Sequence, residues 1–197
     1  MVVDYFLALQ SPYTYLGHER FVALAARYKA TVNYKPTQFA KVFAVSGGVP
    51  VKERAPQRQA YRFQELRRWS GHLGLPLNLE PRHFPVQDGE AARAVIAAIR
   101  GGEFPARLIG ACLRAVWAEE RDLADPATLR ALIGEAGQDA NALLATAADP
   151  AVQAAYDANT AEAIERQVFG APTYAFGTEL YWGQDRLEFV ERHLQRG

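Results

Sequence analysis

"VVDYFLALQSPYTYLGHERFVALAARY", residues 2–28, is the stretch on which the reading of the whole chain turns. Residues 2–9 are almost continuously apolar, the pattern of a strand covered on both faces. From residue 12 to residue 28 the spacing becomes helical, with Tyr15, Leu16, Phe21, Val22, Ala25 and Tyr28 sharing a side. "TVNYKP" (31–36) alternates and stops at a proline, so it reads as a second strand. Strand, helix and strand within about 35 residues form a βαβ unit, which favours parallel pairing and a right-handed crossover.

Beyond residue 38 the composition shifts. Residues 39–167 are rich in Ala, Leu, Arg and Glu and show no convincing strand. "APQRQAYRFQELRRWSGHLG" (55–74) is one helix, with Tyr61, Leu66, Trp69 and Leu73 on a common side. "DGEAARAVIAAIRGG" (88–102) offers Asp88 as a cap and glycine as a stop, and "FPARLIGACLRAVWAEE" (104–120) follows as another helix. Asp125-Pro126 and Asp149-Pro150 each pair a capping side chain with a proline suited to the first helical position. Strand signals return after residue 167. "PTYAF" and "ELYW" flank Gly177-Thr178 as a hairpin, and "GQDRLEFVERHLQ" (183–195) closes the chain as a helix. The order βαβ, helical block, ββα is that of an α/β thioredoxin-like fold interrupted by a large all-helical insertion. Residues 1–38 and 168–197 are expected to form the thioredoxin-like domain and residues 39–167 the insertion.

Bulk properties exclude several function classes. Of 197 residues 49% are apolar, enough for a sizeable core. Lys plus Arg number 22 and so do Asp plus Glu, leaving no global field for nucleic acid. No apolar run is long enough to span a membrane, and the N-terminus has no signal-peptide pattern. The single cysteine, Cys112, allows no internal disulfide and reads as a small core residue. No His, Cys, Asp or Glu cluster has metal-ligand spacing, and no glycine-rich phosphate loop is present. A soluble cytoplasmic protein is expected.

Ser11-Pro12 reads locally as an N-cap followed by a first-turn proline. The same helix N-terminus also favours an anion. Thioredoxin folds with redox activity hold the first Cys of a Cys-x-x-Cys here. This chain has Ser-Pro-Tyr-Thr, so disulfide chemistry at this motif is excluded. Hydrolysis needs a base beside Ser11, but His18 lies two helical turns away and no Gly-x-Ser-x-Gly elbow surrounds the serine. Hydrogen-bond donation to a thiolate arriving from outside fits better. In "FGAPTY" (169–174), Pro172 reads either as a strand-start proline or as the cis proline that faces the active-site helix in thioredoxin folds. A cis proline there would leave the polar groups of Ala171 free to pair with a bound peptide. "WGQDR" (182–186) offers either Asp185 as a cap or a site for a zwitterionic end, with N–H groups for a carboxylate and Asp185 for an ammonium. Arg54, Arg58 and Arg62, followed by Arg67 and Arg68, make either a solvated stripe or a cationic wall for an anionic small molecule.

"DYFLALQSPYTYLG", "PQRQAYRFQELRRW", "HFPVQDGEAARAV" and "VFGAPTYAFGTELYWGQDRLEFVERHL" together resemble the 2-hydroxychromene-2-carboxylate isomerases. These are relatives of the kappa-class glutathione transferases in the DsbA-type thioredoxin group. The resemblance implies a glutathione-dependent cis-trans isomerase of aromatic catabolism, homodimeric, acting on a small aromatic anion. It implies that Ser11 donates to the glutathione sulfur, and that Ala171, ahead of Pro172, pairs with the cysteinyl backbone. Gln184 and Asp185 would hold the γ-glutamyl end. Arg58 would bind a carboxylate where the family often has Lys, and Glu65 would reach the partner's glutathione. Two positions depart from the pattern: Gly48 stands where the family has Asn in "Gly-Asn-x-Pro", and Gln87 replaces an Asn after "FP". A kappa-like glutathione transferase conjugating aromatic electrophiles and a non-catalytic glutathione-binding module are the alternative readings.

Overall fold

The computed structural model describes residues 1–196. Its elements run β1 (Val2–Leu7), α1 (Pro12–Arg27), β2 (Thr31–Pro36), α2 (Phe39–Ser46), α3 (Pro56–Leu73) and α4 (Gly89–Arg100). They continue through α5 (Ala106–Trp117), α6 (Pro126–Glu135), α7 (Ala140–Ala147) and α8 (Pro150–Glu165) to β3 (Thr173–Phe176), β4 (Glu179–Trp182) and α9 (Leu187–Leu194). The sheet has the order β2-β1-β3-β4. β1 pairs parallel with β2 in the register Val2–Thr31 to Leu7–Pro36. It pairs antiparallel with β3, Asp4 opposite Ala175 and Phe6 opposite Thr173, and the β3–β4 hairpin turns at Gly177, where φ is 56°. The βαβ and ββα segments flanking a helical block are thus present as expected.

The continuous apolar run of β1 follows from its place in the middle of the sheet. Val3, Tyr5 and Leu7 enter the larger core, which also holds Leu16 and Phe21 of α1 and most buried residues of α4 and α5. Phe6 points the other way, into a second cluster with Phe39 and Val42 of α2, Ala163 of α8, Val168 and Ala175. Each fully buried side chain of this size stabilises the fold by about 1.5–3 kcal/mol. The second cluster shows that α2 and α8, the first and last helices of the block, cover one face of the sheet themselves. Asp4, on the Phe6 side of β1, adds a polar fastening. Arg166 donates to it at 2.7 Å and also reaches Glu162 at 3.0 Å, while Lys35 contacts Glu162 at 2.6 Å. Burial alone would raise the Asp4 pKa, but hydrogen bonds from Asn33 and Arg166 and the charges of Lys35 and Arg166 outweigh it and hold it low.

The Asp-Pro helix starts form as the sequence predicts. The Asp125 carboxylate accepts from the Ala127 and Thr128 N–H groups, and Asp149 accepts from Ala151. Asp139 caps α7 in the same way. Asp88 is the exception, since its side chain makes no capping bond to α4. The closing helix also starts later than the sequence indicated: residues 184–186 form a 3-10 turn, Asp185 makes no capping bond, and α9 begins at Leu187.

Candidate functional site

Ser11 sits at the corner between β1 and α1, where its backbone is extended and Pro12 opens the helix. Its hydroxyl oxygen accepts from the Thr14 N–H at 3.2 Å, so it is the cap that the local sequence suggests. Its proton goes elsewhere, because Ser11 Oγ donates to the Ala171 carbonyl oxygen at 3.3 Å. Neither partner is a base, so nothing here makes an alkoxide. His18 is turned into the core: Nε2 contacts the Ala106 carbonyl at 2.9 Å and Nδ1 the Tyr5 hydroxyl at 3.4 Å. A carbonyl only accepts, so Nε2 carries the proton and Nδ1 accepts from Tyr5. Burial lowers the His18 pKa, and the imidazole is a neutral structural group.

The Ala171–Pro172 peptide bond is cis, and Ala171 faces the start of α1 through Ser11. The Pro172 carbonyl accepts from the Gly183 N–H at 2.9 Å, which ties this loop to the turn that carries Gln184 and Asp185. The Ala171 N–H has no protein acceptor among the described residues. The same turn lies directly on α1. A Cβ on Gly17 would stand 2.8 Å from Gln184 Cβ and 3.1 Å from the Tyr174 hydroxyl, so only glycine permits this approach. Ser11, Ala171, Pro172, Gln184 and Asp185 therefore come together in one region. The Gln184 side chain is buried, with Arg20 Nη1 donating to its Oε1 at 2.7 Å. The Gln184 backbone N–H has no backbone acceptor among the described residues. Asp185 is exposed and contacts Arg186 at 2.8 Å.

α3 packs beside α1. Arg58 is exposed near its start, and Glu65, two turns on, pairs with Arg68 at 2.6 Å. Tyr13, two residues after Ser11, lies within the electrostatic reach of Arg54, Arg62 and Glu65, and burial raises its hydroxyl pKa. The arginines of α3 separate in the fold: Arg67 and Arg68 are exposed, whereas Arg62 is only 7% exposed. Its guanidinium carbon lies 5.4 Å from the Phe84 ring centre and 5.6 Å from that of Trp117. Trp117 reaches the corner itself, its Nε1 donating to the Gln10 carbonyl at 3.2 Å. Gln87 lies further out, lining a cavity of about 510 Å³ with Lys52, His83, Phe84, Pro85 and Asp122; Ser11 does not border it.

Two features of this region were not identified from the sequence. Asp88 was read as a helix cap, but its carboxyl turns inward beneath the Ser11 corner. Burial raises its pKa, and the neighbouring polar groups of Gln10 and Leu9 oppose that shift. Arg62 was read only as part of a stripe, and nothing in its i, i+4 spacing distinguishes a buried cation from an exposed one. Cys112 is fully buried as expected, and burial pushes its thiol up to about 12, which makes it unreactive. No metal-binding cluster occurs among the described residues, and no described helix is long and apolar enough to cross a membrane.

The profile of the DSBA-like thioredoxin domain matches residues 2–195. The chain is 32% identical over 199 residues to 2-hydroxychromene-2-carboxylate isomerase of Pseudomonas putida, covering 100% of this chain and 95% of that protein. It is 30% identical over 194 residues to the Sphingobium xenophagum protein of the same name, covering 98% and 97%. Human glutathione S-transferase kappa 1 is 24% identical, covering 98% and 90%. Among solved structures, a selenomethionine 2-hydroxychromene-2-carboxylate isomerase superposes with a TM-score of 0.80 at 29% identity, covering 100% of this chain and 95% of that one. The cytosolic disulfide reductase DsbM of Pseudomonas aeruginosa with GSH shares the fold, with a TM-score of 0.66 at 20% identity and coverage of 99% and 100%.

Proposed function

The chain belongs to the DSBA-like thioredoxin domain family, and within it to the group of the 2-hydroxychromene-2-carboxylate isomerases; from that premise we propose a glutathione-dependent isomerase. It converts 2-hydroxychromene-2-carboxylate, through its ring-opened cis form, to trans-o-hydroxybenzylidenepyruvate, a step of aromatic catabolism. The observation that carries this reading is Ser11: a hydroxyl stands at the helix N-terminus opposite a cis proline, with no cysteine in the motif. A thiol must then come from outside, and the relatives named for glutathione or solved with it support glutathione as its source.

The residues present fit that molecule. The open N–H of Ala171 matches an extended peptide laid along the cis-proline loop. The free N–H of Gln184 and the exposed carboxylate of Asp185 match the carboxylate and ammonium of a γ-glutamyl end. Arg58 and Glu65 are the further candidates from α3, Arg58 for a carboxylate and Glu65 toward a partner subunit in a homodimer.

When bound, glutathione supplies a nucleophilic thiolate, whose reversible addition to a conjugated alkene frees rotation about the former double bond. The chain stabilises that negative charge in two ways. The first-turn N–H groups of α1 present their positive end to it. Ser11 has a single proton, now directed at the Ala171 carbonyl, and turning it toward sulfur would place an O–H donor on the thiolate. The same turn would release the Ala171 carbonyl for an incoming backbone N–H, so Ser11 exchanges one partner for another without leaving a polar group unpaired. No net redox change is required, which agrees with a site that has no Cys-x-x-Cys.

Ultraviolet assay of 2-hydroxychromene-2-carboxylate with and without glutathione tests the proposal. Turnover that needs glutathione in less than stoichiometric amount supports it, and turnover independent of glutathione refutes it. A stable thioether product would instead indicate the conjugating chemistry of the kappa-type relative. Glutathione binding with no reaction on any aromatic electrophile would leave a binding module. Light scattering tests the homodimer.

A further inference from the structure

Asp185 stands exposed on a single 3-10 turn, Gln184–Arg186, which has no side-chain cap and follows Gly183 at a φ of 102°. So short a turn has few bonds of its own, and contacts from elsewhere in the fold fix its position. Its first residue, Gln184, is buried and makes those contacts. Arg20 Nη1 donates to the Gln184 amide oxygen at 2.7 Å and lies 3.5 Å from the Gln184 backbone carbonyl oxygen. These two oxygens are the only hydrogen-bond acceptors of the Arg20 side chain among the described residues, and no carboxylate there forms an ion pair with it. The guanidinium also meets α3, its carbon 5.8 Å from the centre of the Trp69 ring, an attraction between cation and ring face.

Gly17 and Arg20 lie three residues apart on α1 and share a face. Gly17 leaves room for the turn, since a Cβ there would stand 2.8 Å from Gln184 Cβ, and Arg20 supplies the bond that holds the turn in that room. That bond is charge-assisted, and losing it strands the oxygen of a buried amide. On its other side the turn is tied to the cis-proline loop, through the Gly183 N–H and the Pro172 carbonyl at 2.9 Å. Arg20 therefore joins the helix that begins at Ser11 to the turn that carries Asp185. We propose that Arg20 is a positioning residue that makes the site selective for thiols with a γ-glutamyl end over thiols without one. It acts through Gln184, by setting where Asp185 stands relative to Ser11. The proposal rests on the glutathione reading for the identity of the thiol.

The test separates the two. Calorimetry measures binding of glutathione and of cysteinylglycine, the same thiol without its γ-glutamyl group, to the wild type, Arg20→Met and Arg20→Lys. Turnover of 2-hydroxychromene-2-carboxylate with each thiol gives kcat/KM in parallel, which needs no saturation. The wild type is expected to prefer glutathione by at least about tenfold, the size of one charge-assisted contact to the γ-glutamyl end. Arg20→Met is expected to lose roughly 5- to 50-fold in glutathione affinity with cysteinylglycine binding unchanged, so that the preference collapses. Arg20→Lys keeps a cation able to reach the amide oxygen and should recover part of the preference. Gln184→Leu removes the same bond from its other end and should give the same collapse, which carries the test if Arg20→Met folds poorly. Glutathione affinity unchanged in Arg20→Met, an equal loss for both thiols, or no preference in the wild type overturns the proposal. Binding of neither thiol by the wild type refutes the glutathione reading and the proposal together. Absence of chromene turnover with the thiol pattern intact refutes the isomerase reading alone and leaves the role of Arg20 standing.

Discussion

Replacing Ser11 by Ala removes two hydrogen bonds with different consequences, and the structure gives a size for each. The Thr14 N–H at 3.2 Å loses its cap, which costs about 1 kcal/mol. The Ala171 carbonyl at 3.3 Å loses a neutral, part-buried donor, worth about another 1 kcal/mol at most. A total of about 1–2 kcal/mol lowers Tm by roughly 2–8 °C in a chain of this size. That leaves the protein folded, since domains of this kind have about 5–15 kcal/mol in hand. The effect on chemistry should be larger. A hydrogen bond to a charged group contributes about 1.5–3 kcal/mol, so glutathione-dependent turnover should fall by roughly 10- to 200-fold. The pKa of bound glutathione, read from thiolate absorbance as pH is varied, should rise by about 1–2 units in Ser11→Ala. A pure cap would lower Tm alone. If turnover and thiol pKa stay at wild-type values while Tm drops, Ser11 is a structural cap and the thiolate role assigned to it is wrong.

Other expectations follow from individual contacts. Gly17→Ala would drive a methyl group into Gln184 Cβ at 2.8 Å, so it should cost about 1–3 kcal/mol by overpacking and weaken glutathione binding in calorimetry by displacing the turn at 183–186. His18 is held neutral by burial, so its folded pKa lies below its unfolded value of about 6.5. Its contribution is complete above that value and is lost as pH falls toward the folded pKa, because the unfolded chain then binds the extra proton. Urea unfolding between about pH 7.5 and about pH 5 should show this slope, and His18→Gln should flatten it. Cys112 should resist thiol reagents in the native protein and react only on unfolding, at a rate that follows denaturant concentration. Rapid native labelling would contradict its placement in the core.

How much of this was legible in the sequence depended on whether the governing interaction was local. The apolar run of β1, the helical spacing after Pro12, the Gly177 hairpin and the Asp-Pro starts of α6 and α8 are set by neighbours in the chain, and they formed where the pattern indicates. Pro172 followed from element order, since its meaning came from facing α1. Asp88 carries the same local signal as Asp125 and Asp149, a carboxylate one residue ahead of a helix. What turns it inward is the Leu9–Gln10 corner, contributed by a segment far away in sequence. Gln184 lies in the turn against α1, and its amide oxygen is taken by Arg20, a residue far away in sequence that no local pattern links to it. Arg62 shows the same limit most clearly. Its burial depends on Phe84 and Trp117, which no spacing within α3 can reveal.

The way α2 and α8 rest on the sheet bears on how such a protein can change over time. Both ends of the helical segment are fixed to the β1 face by Phe39, Val42 and Ala163, and α8 is clasped there by Asp4 and Arg166. The segment strung between these two anchors supplies Arg62, Phe84 and Trp117, whereas Ser11, Ala171 and Gln184 come from the segments outside it. α4 and α5 of that inner stretch share one core with α1, and Trp117 bonds to Gln10 beside Ser11, so changes at their buried positions reach the thiol-facing half as well. Variation at the exposed positions between the two anchors escapes that constraint, and new specificities would be sought first there, leaving both anchors in place.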